Sequence, residues 1–504
     1  MLFNRQLEIV MSINPCFIGK LKKIVVTRAL LRPRAVVDRG PPLARALPCA
    51  GLSYDGTQIL GTPSMRNFWW LAALLGLSSA TAHAADVEVG PADNWRGAID
   101  TLRPGNTVWM RAGTYTVSGL FRIQLNGTAS QPIAVRAVAG ARSHIVQSSG
   151  LHNVVEINNS SHLLLEGLEL SGGGGDGVRI LTANDLSLRN LLIRDVPQVG
   201  IIATAPGSTF ARLVVEGVEI RQARRGGIDL GCSDARCSTV DAVIRRNWIH
   251  SLSNPSGNFN AVGLRISTGS SGALVEDNVL HDVDIGMFVL STLGNGNPHL
   301  VRRNFIWNAR RGEVILVSHT VFENNVVLGS TEPSFPSINV FNNQATATAI
   351  TLRNNTVIAP SSKNALRLRQ VNGSTLIVNN ALFSQFGRAI DIQSSTGVSV
   401  LNNAGEGSVI GSPAGFTVVG SPTNMLAAAS YSGTVPQDLV PIAGSPLIGA
   451  ANVGSAPASD FDEVTRDASP DIGALERGGD AADRWTPAPG FKRAPRIYRN
   501  GFEE

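Results

Sequence analysis

Charge is scarce in this 504-residue chain: Asp, Glu, Lys and Arg together make up 16%, against roughly 25% in an average domain. With 43% hydrophobic residues there is a large core to bury, which excludes a disordered chain. So much Gly (52 residues) and so little Glu and Lys exclude a coiled coil. Long hydrophobic runs are also lacking. The one continuous apolar stretch with a topogenic look, Phe68 to Leu77, is too short to span a bilayer, so a multispan membrane protein is excluded. Lysine almost vanishes beyond residue 84, where only Lys363 and Lys492 remain.

Around Met65 the chain reads Met65-Arg66-Asn67, the apolar run, then Ser78 to Ala82-His83-Ala84. A basic start, a short apolar core and a small-x-small site predict a signal peptide over 65–84, with a buried helix as the alternative. Residues 1–64 are then expected to be a non-native upstream extension with Met65 the true start; N-terminal sequencing of the exported form tests this. Losing 1–84 removes 10 of 43 basic and 3 of 38 acidic groups, leaving 33 against 35 and a net charge of −2. The apparent basicity leaves with the leader, and with it the case for nucleic-acid binding. No transmembrane span remains. Cys16 and Cys49 leave too. Cys232 and Cys237 stay, and a lone close pair in an exported chain predicts a local disulfide. The alternative, half of a metal site, lacks a second Cys or His pair.

Length alone allows about three domains, but a repeat argues for one. From about residue 160 a phrase recurs: Glu166-Gly167-Leu168, Arg189-Asn190-Leu191, Glu216-Gly217-Val218, Arg246-Asn247-Trp248, Asp277-Asn278-Val279, Arg303-Asn304-Phe305, and on through Asn324-Asn325, Asn354-Asn355, Asn379-Asn380 and Asn402-Asn403. Successive Gly/Asn positions lie 21 to 31 residues apart. Short β-rich units at such a period predict a solenoid. Asn tolerates the left-handed bend each coil needs, and stacked Asn side chains can bond along the column. A second strand follows each phrase, as in Gly177-Val178-Arg179-Ile180, Gly227-Ile228-Asp229-Leu230 and Gly263-Leu264-Arg265-Ile266. Its second and fourth residues are apolar and point inward, and its third points out. Roughly nine or ten coils result, on the order of 45 Å long. Trp95, Ala98, Ile99 and Leu102 share one helical face and predict a capping helix. The expected organisation is a coil domain over 85–476, irregular from 404 on, and a flexible tail over 477–504.

These phrases resemble the right-handed parallel β-helix proteins of the pectin-lyase-like superfamily. The opening, Pro104-Gly105-Asn106-Thr107-Val108 with Gly113-Thr114-Tyr115 and Gln131-Pro132-Ile133-Ala134-Val135-Arg136-Ala137, is similar to the first coils of chondroitinase-B-like polysaccharide lyases. Gly444-Ser445-Pro446-Leu447-Ile448-Gly449-Ala450 with Asp471-Ile472-Gly473-Ala474 resembles a C-terminal module of secreted bacterial β-helix proteins, and Ile497 to Glu503 a tail on exported proteobacterial ones. The resemblance implies an all-β fold and a monomer exported to the periplasm or exterior of a Gram-negative bacterium. It also implies a polysaccharide partner bound along one outer sheet.

The outward column of the Gly-led strands reads Arg179, Ile202, Asp229, Arg265, Phe288, Ile315, Asn339, Arg367 and Asp391. Charges gather in its early coils beside Asp176, and loops lengthen at Ser251–Ala261 and Cys232–Cys237. A groove floored by Asp229 and Arg265 suits an acidic sugar: a carboxylate takes the C5 proton, and Arg265 or Arg179 binds the uronate carboxylate. Asp176 and Asp229 are the expected ligands if Ca²⁺ is used. Asp176, Arg367, Asp391, Asn339 and Phe288 complete the expected substrate surface. The other reading is that Asp229 and Arg265 form an exposed ion pair of small value. The lyases that the opening resembles use a Lys base, for which Lys363 is the coil-region choice; of the Asn-Thr-Asp, paired-Asp and Gly-His-Gly motifs of the hydrolase branch, none is present in full. His250 and His281 fall at matching positions and are expected as solvated coil-face residues. Two functions follow: a lyase on a uronate glycan (hydrolase and epimerase being other activities the fold hosts), or a non-catalytic surface protein that binds glycan.

Overall fold

The computed structural model describes residues 86–252, 260–290, 296–317, 319–341, 349–372, 374–411, 414–478 and 484–492. The expected leader and upstream extension lie outside them. Each coil contributes one strand to each of three parallel sheets. Sheet one runs from Asp86–Val89 to Val398–Leu401 and lies before the Asn turn; sheet two follows that turn, and sheet three holds the Gly-led strands. The solenoid has about 11 turns. The excess over the expected number lies in its first coils, whose sheet-three strands Arg122–Ile123 and Val155–Ile157 pair in register ahead of Val178–Ile180 but lack the Gly-led phrase.

Alternation dictates the core. Val178, Ile201, Ile228, Leu264, Met287, Val314, Ile338, Leu366 and Ile390 are mutually in register and buried. Each contributes about 1.5–3 kcal/mol by leaving water. Sheet three begins with Gly177, Gly200, Gly227, Gly263 and Gly286. A Cβ on any of them would lie 2.4 to 2.8 Å from the carbonyl oxygen of the next coil, so close stacking requires Gly there. The expected helix is present, shorter than its apolar face suggests, at Trp95–Asp100; its Trp95 packs edge-on to Tyr115 and Phe121.

The Asn turn divides its work between two adjacent positions. Gly167, Asn190, Gly217, Arg246, Asp277, Arg303, Asn324, Asn354, Asn379 and Asn402 take the left-handed conformation. The residue after each stacks. Asn247, Asn278, Asn304, Asn325, Asn355, Asn380 and Asn403 form a buried ladder, each of the first six donating from its backbone N–H and its amide to the next side-chain oxygen at 2.8 to 3.1 Å. The sequence pattern had assigned both tasks to one Asn.

Residues 426–478 are not merely irregular. Their apolar side chains pack on the outer face of sheet two, with Phe305, Trp307, Leu328, Ile358 and Phe383 beneath them. The left-handed column supplies the docking bonds: Asn324 to Ser459 O (2.7 Å), Asn354 to Asp471 O (3.1 Å), Asn379 to Asn452 O (3.0 Å) and Asn402 to Ala450 O (3.3 Å). This accounts for the unbroken run of Asn at the bends from Asn324 onward, where the earlier bends vary among Gly, Asn, Arg and Asp. The expected tail also has ordered contacts. Trp485 packs edge-on to Phe305, and Lys492 is buried with its Nζ 3.0 Å from Asp277 Oδ1.

Candidate functional site

The expected outward column exists as one continuous ladder. Arg179, Ile202, Asp229, Arg265, Phe288, Ile315, Asn339, Arg367 and Asp391 pair coil by coil. It also extends backward through Glu156 and Arg122, joined at 2.6 Å. That extension had no Gly-led phrase to reveal it, although apolar-polar-apolar alternation is visible at Val155-Glu156-Ile157.

In its middle, Arg265 Nη1 lies 3.3 Å from Asp229 Oδ2 and its guanidinium carbon 5.9 Å from the Phe288 ring centre. Asp229 Oδ1 is buried and has no hydrogen-bond partner among the described residues. Burial raises the Asp229 pKa above the usual carboxylate range, against the pull of Arg265 and with a push from Asp176. The Asp229 side chain is 17% exposed and Arg265 31%. A partly desolvated carboxylate beside an arginine is a proton acceptor next to an anion-binding group.

Asp176 plays a different part. Its Oδ1 accepts from the Val199 N–H at 3.0 Å and its Oδ2 from Arg179 Nη1 at 2.8 Å. Both oxygens therefore serve the turn and the salt bridge. The expected Ca²⁺ pair then offers one unpartnered oxygen, Asp229 Oδ1, where Ca²⁺ takes six to eight. Among the described residues no group of three or more His, Cys, Asp or Glu is arranged to hold a metal.

The far half of the column is separated from this pair by Ile315, which packs with Val262 and Ile285. Arg367 donates to Asn339 Oδ1 at 3.3 Å, and burial lowers its pKa. Asp391 is buried under Arg388, Asn364 and Gln393, so its oxygens are committed to the fold rather than to a ligand.

Lys363 is not in the groove. It is fully buried, with Nζ 3.2 Å from Glu313 and 3.0 Å from Ser330 Oγ. A side chain sealed in the interior cannot reach a sugar, so the expected base role is withdrawn. Its polar neighbours Ser361-Ser362 gave no sequence sign of burial. His250 and His281 are not solvated either. They stack at 5.1 Å between Trp248 and Trp307, and burial lowers the His281 pKa despite the nearby Asp282 carboxylate.

The Cys232–Cys237 disulfide is formed. Its loop follows the Gly226–Leu230 strand, with Arg236 O accepting from the Gly207 N–H and Ala235 against Gly269. It therefore ties three successive turns at the exit of sheet three. The other expected wall, Ser251–Ala261, lies outside the described residues over 253–259.

The family described as right handed beta helix region matches residues 139–305. The chain is a right-handed parallel β-helix. A 242-residue stretch is 23% identical to Pectate lyase L of Paenibacillus polymyxa (strain SC2), covering 44% of this chain and 48% of that protein. The match thus spans about half of that relative's length. Among solved structures, XylC in complex with xylose aligns with a TM-score of 0.53 at 9% identity, over 78% of this chain and 98% of XylC. Pectate lyase Pel9A aligns with a TM-score of 0.48 at 14% identity, over 78% and 96%. At these identities the structural likeness concerns the fold. Among the described residues no helix is long and apolar enough to cross a membrane.

Proposed function

We propose that this β-helix acts on an acidic polysaccharide by β-elimination, with Asp229 taking the C5 proton and Arg265 facing the uronate carboxylate. The observation that carries this reading is the Asp229–Arg265 pair itself: a partly buried carboxylate with an unpartnered oxygen and a raised pKa, beside a half-exposed guanidinium. Removing a proton next to a carboxylate builds negative charge there, and a fixed cation stabilises it in the transition state. Phe288 beneath Arg265 holds the guanidinium plane. Arg179 and the Glu156–Arg122 pair extend the polar surface along the same ladder. The match to Pectate lyase L supports a polysaccharide substrate. Export is supported by the disulfide, a bond that persists in oxidising compartments, and by the signal-like 65–84 segment.

One observation favours a second reading. The coil-region lysine is buried against Glu313, so the base of the lyases that the opening resembles is missing, as in a glycan-binding scaffold. The test is a panel of uronate polysaccharides with and without added Ca²⁺, followed by ultraviolet absorbance for unsaturated products and by reducing ends for hydrolysis. Unsaturated product lost in folded D229A and R265A variants supports the lyase. Binding without either product supports the scaffold.

A further inference from the structure

A cleft of about 530 Å³ opens on the outer face of sheet one, away from the Asp229 ladder of sheet three. Its floor is set by register and mixes apolar and hydroxyl side chains: Thr107 pairs with Ala134, Ala134 with Leu164, and Leu164 with Ser187 of the next coil. Two residues further along the same strands, the outward column reads Trp109, Arg136, Glu166, Arg189, Glu216, Arg245, Glu276, Arg302, Glu323 and Arg353, coil after coil. Charge alternates along it from Arg136 onward. Most neighbours are tightly paired, as Arg136 to Glu166 at 2.9 Å, Arg245 to Glu216 at 3.0 Å and Arg353 to Glu323 at 2.6 Å.

Arg189, on the cleft rim, is the loose member. Its Nε lies 3.7 Å from Glu216, beyond hydrogen-bond length, and its side chain is 41% exposed. Glu216 is drawn instead to Arg245 and Arg246. The remaining rim acid is already neutralised: Asp185 receives two bonds from Arg212 at 2.6 and 2.7 Å. The cleft therefore presents donors over a floor of Ala134 and Leu164 flanked by the hydroxyls of Thr107 and Ser187, with no carboxylate left unpaired on its rim among the described residues.

The geometry points to a second binding site here, for an acidic oligosaccharide. The C–H face of a sugar ring would rest on Ala134 and Leu164, and its carboxylate would take the forked donors of Arg189. Arg136 lies two coils back, roughly 9–10 Å away at the strand spacing, so a chain bearing several carboxylates lies along the solenoid axis. The site uses none of the residues of the sheet-three groove and does not depend on catalysis there.

The test is calorimetric titration of a galacturonate hexamer into the full chain and its variants. D229N/R265Q disables the groove; R189Q removes the loose guanidinium, and S187W fills the cleft from an outward-facing position. The expected result is that D229N/R265Q still binds the hexamer, and that adding R189Q or S187W to it weakens binding by about tenfold or more, with unchanged melting temperatures. A neutral maltohexaose is expected not to bind. The site is overturned if D229N/R265Q binds nothing, or if both cleft substitutions leave its affinity unchanged. Equal binding of maltohexaose overturns the acidic class. Product formation by the unsubstituted chain judges the groove separately, so either site can fail alone.

Discussion

Asp229 carries opposite consequences for stability and for activity. Its folded pKa is raised by burial, so the native state holds its proton more tightly than the unfolded chain. Its contribution to stability is present below the unfolded carboxylate value and is lost as pH rises through the raised folded one. Above the raised value the ionised side chain costs stability that Arg265 only partly returns. D229N is expected to melt at or above the temperature of the parent chain while losing lyase turnover; a clear drop in melting temperature would mean that the residue is structural. Lys363 and Glu313 are the converse case, a fully buried pair with no surface to act on. K363M leaves Glu313 uncompensated and is expected to cost about 3–5 kcal/mol, whereas K363M/E313L costs much less. Denaturant unfolding of the two variants separates them.

At the scale of elements, the Asn ladder is a chain of obligatory bonds. Asn325 accepts from the N–H and amide of Asn304 and donates to Asn355, Val301 O and Glu323 O. N325A orphans several of these at roughly 1–3 kcal/mol each, and a loss of at least about 2 kcal/mol in urea unfolding is expected. N402A removes the exposed docking bond to Ala450 and places Ala at a left-handed bend, and should cost about 1–2 kcal/mol, less than N325A. Much of this was legible in sequence. The apolar second and fourth positions of the Gly-led strands fixed inside from outside, and from that the Asp229–Arg265 ladder followed. Three things were not legible. Burial of Lys363 depends on Ser330 and Glu313, 33 and 50 residues away. The split between bend and ladder was hidden because Asn serves both in the later coils. The first coils lack the phrase that marked the others.

At the scale of the whole molecule, the C-terminal segment is a second layer over sheet two, fastened along the left-handed column and by Lys492. Burial would push the Asp277 carboxyl up, but Lys492 and Arg303 outweigh it and bring it to about 2. That lies below its unfolded value of roughly 3.9. The stability this pair contributes is present above about pH 4 and is lost as pH falls towards about 2. K492M is expected to destabilise the fold at neutral pH and to move its acid unfolding midpoint upward, followed by tryptophan fluorescence of Trp485; an unmoved midpoint would detach Lys492 from this role. The overlayer covers sheet two and leaves the sheet-three face, with its Asp229–Arg265 pair, open. The most direct measurement is the initial rate of unsaturated product from a uronate polysaccharide, by the parent chain and by D229N of equal melting temperature. The expected result is a rate in the parent that falls as pH drops through the raised Asp229 pKa, and a loss of about a hundredfold or more in D229N. Equal rates in both proteins, or no unsaturated product from any uronate glycan, would contradict it.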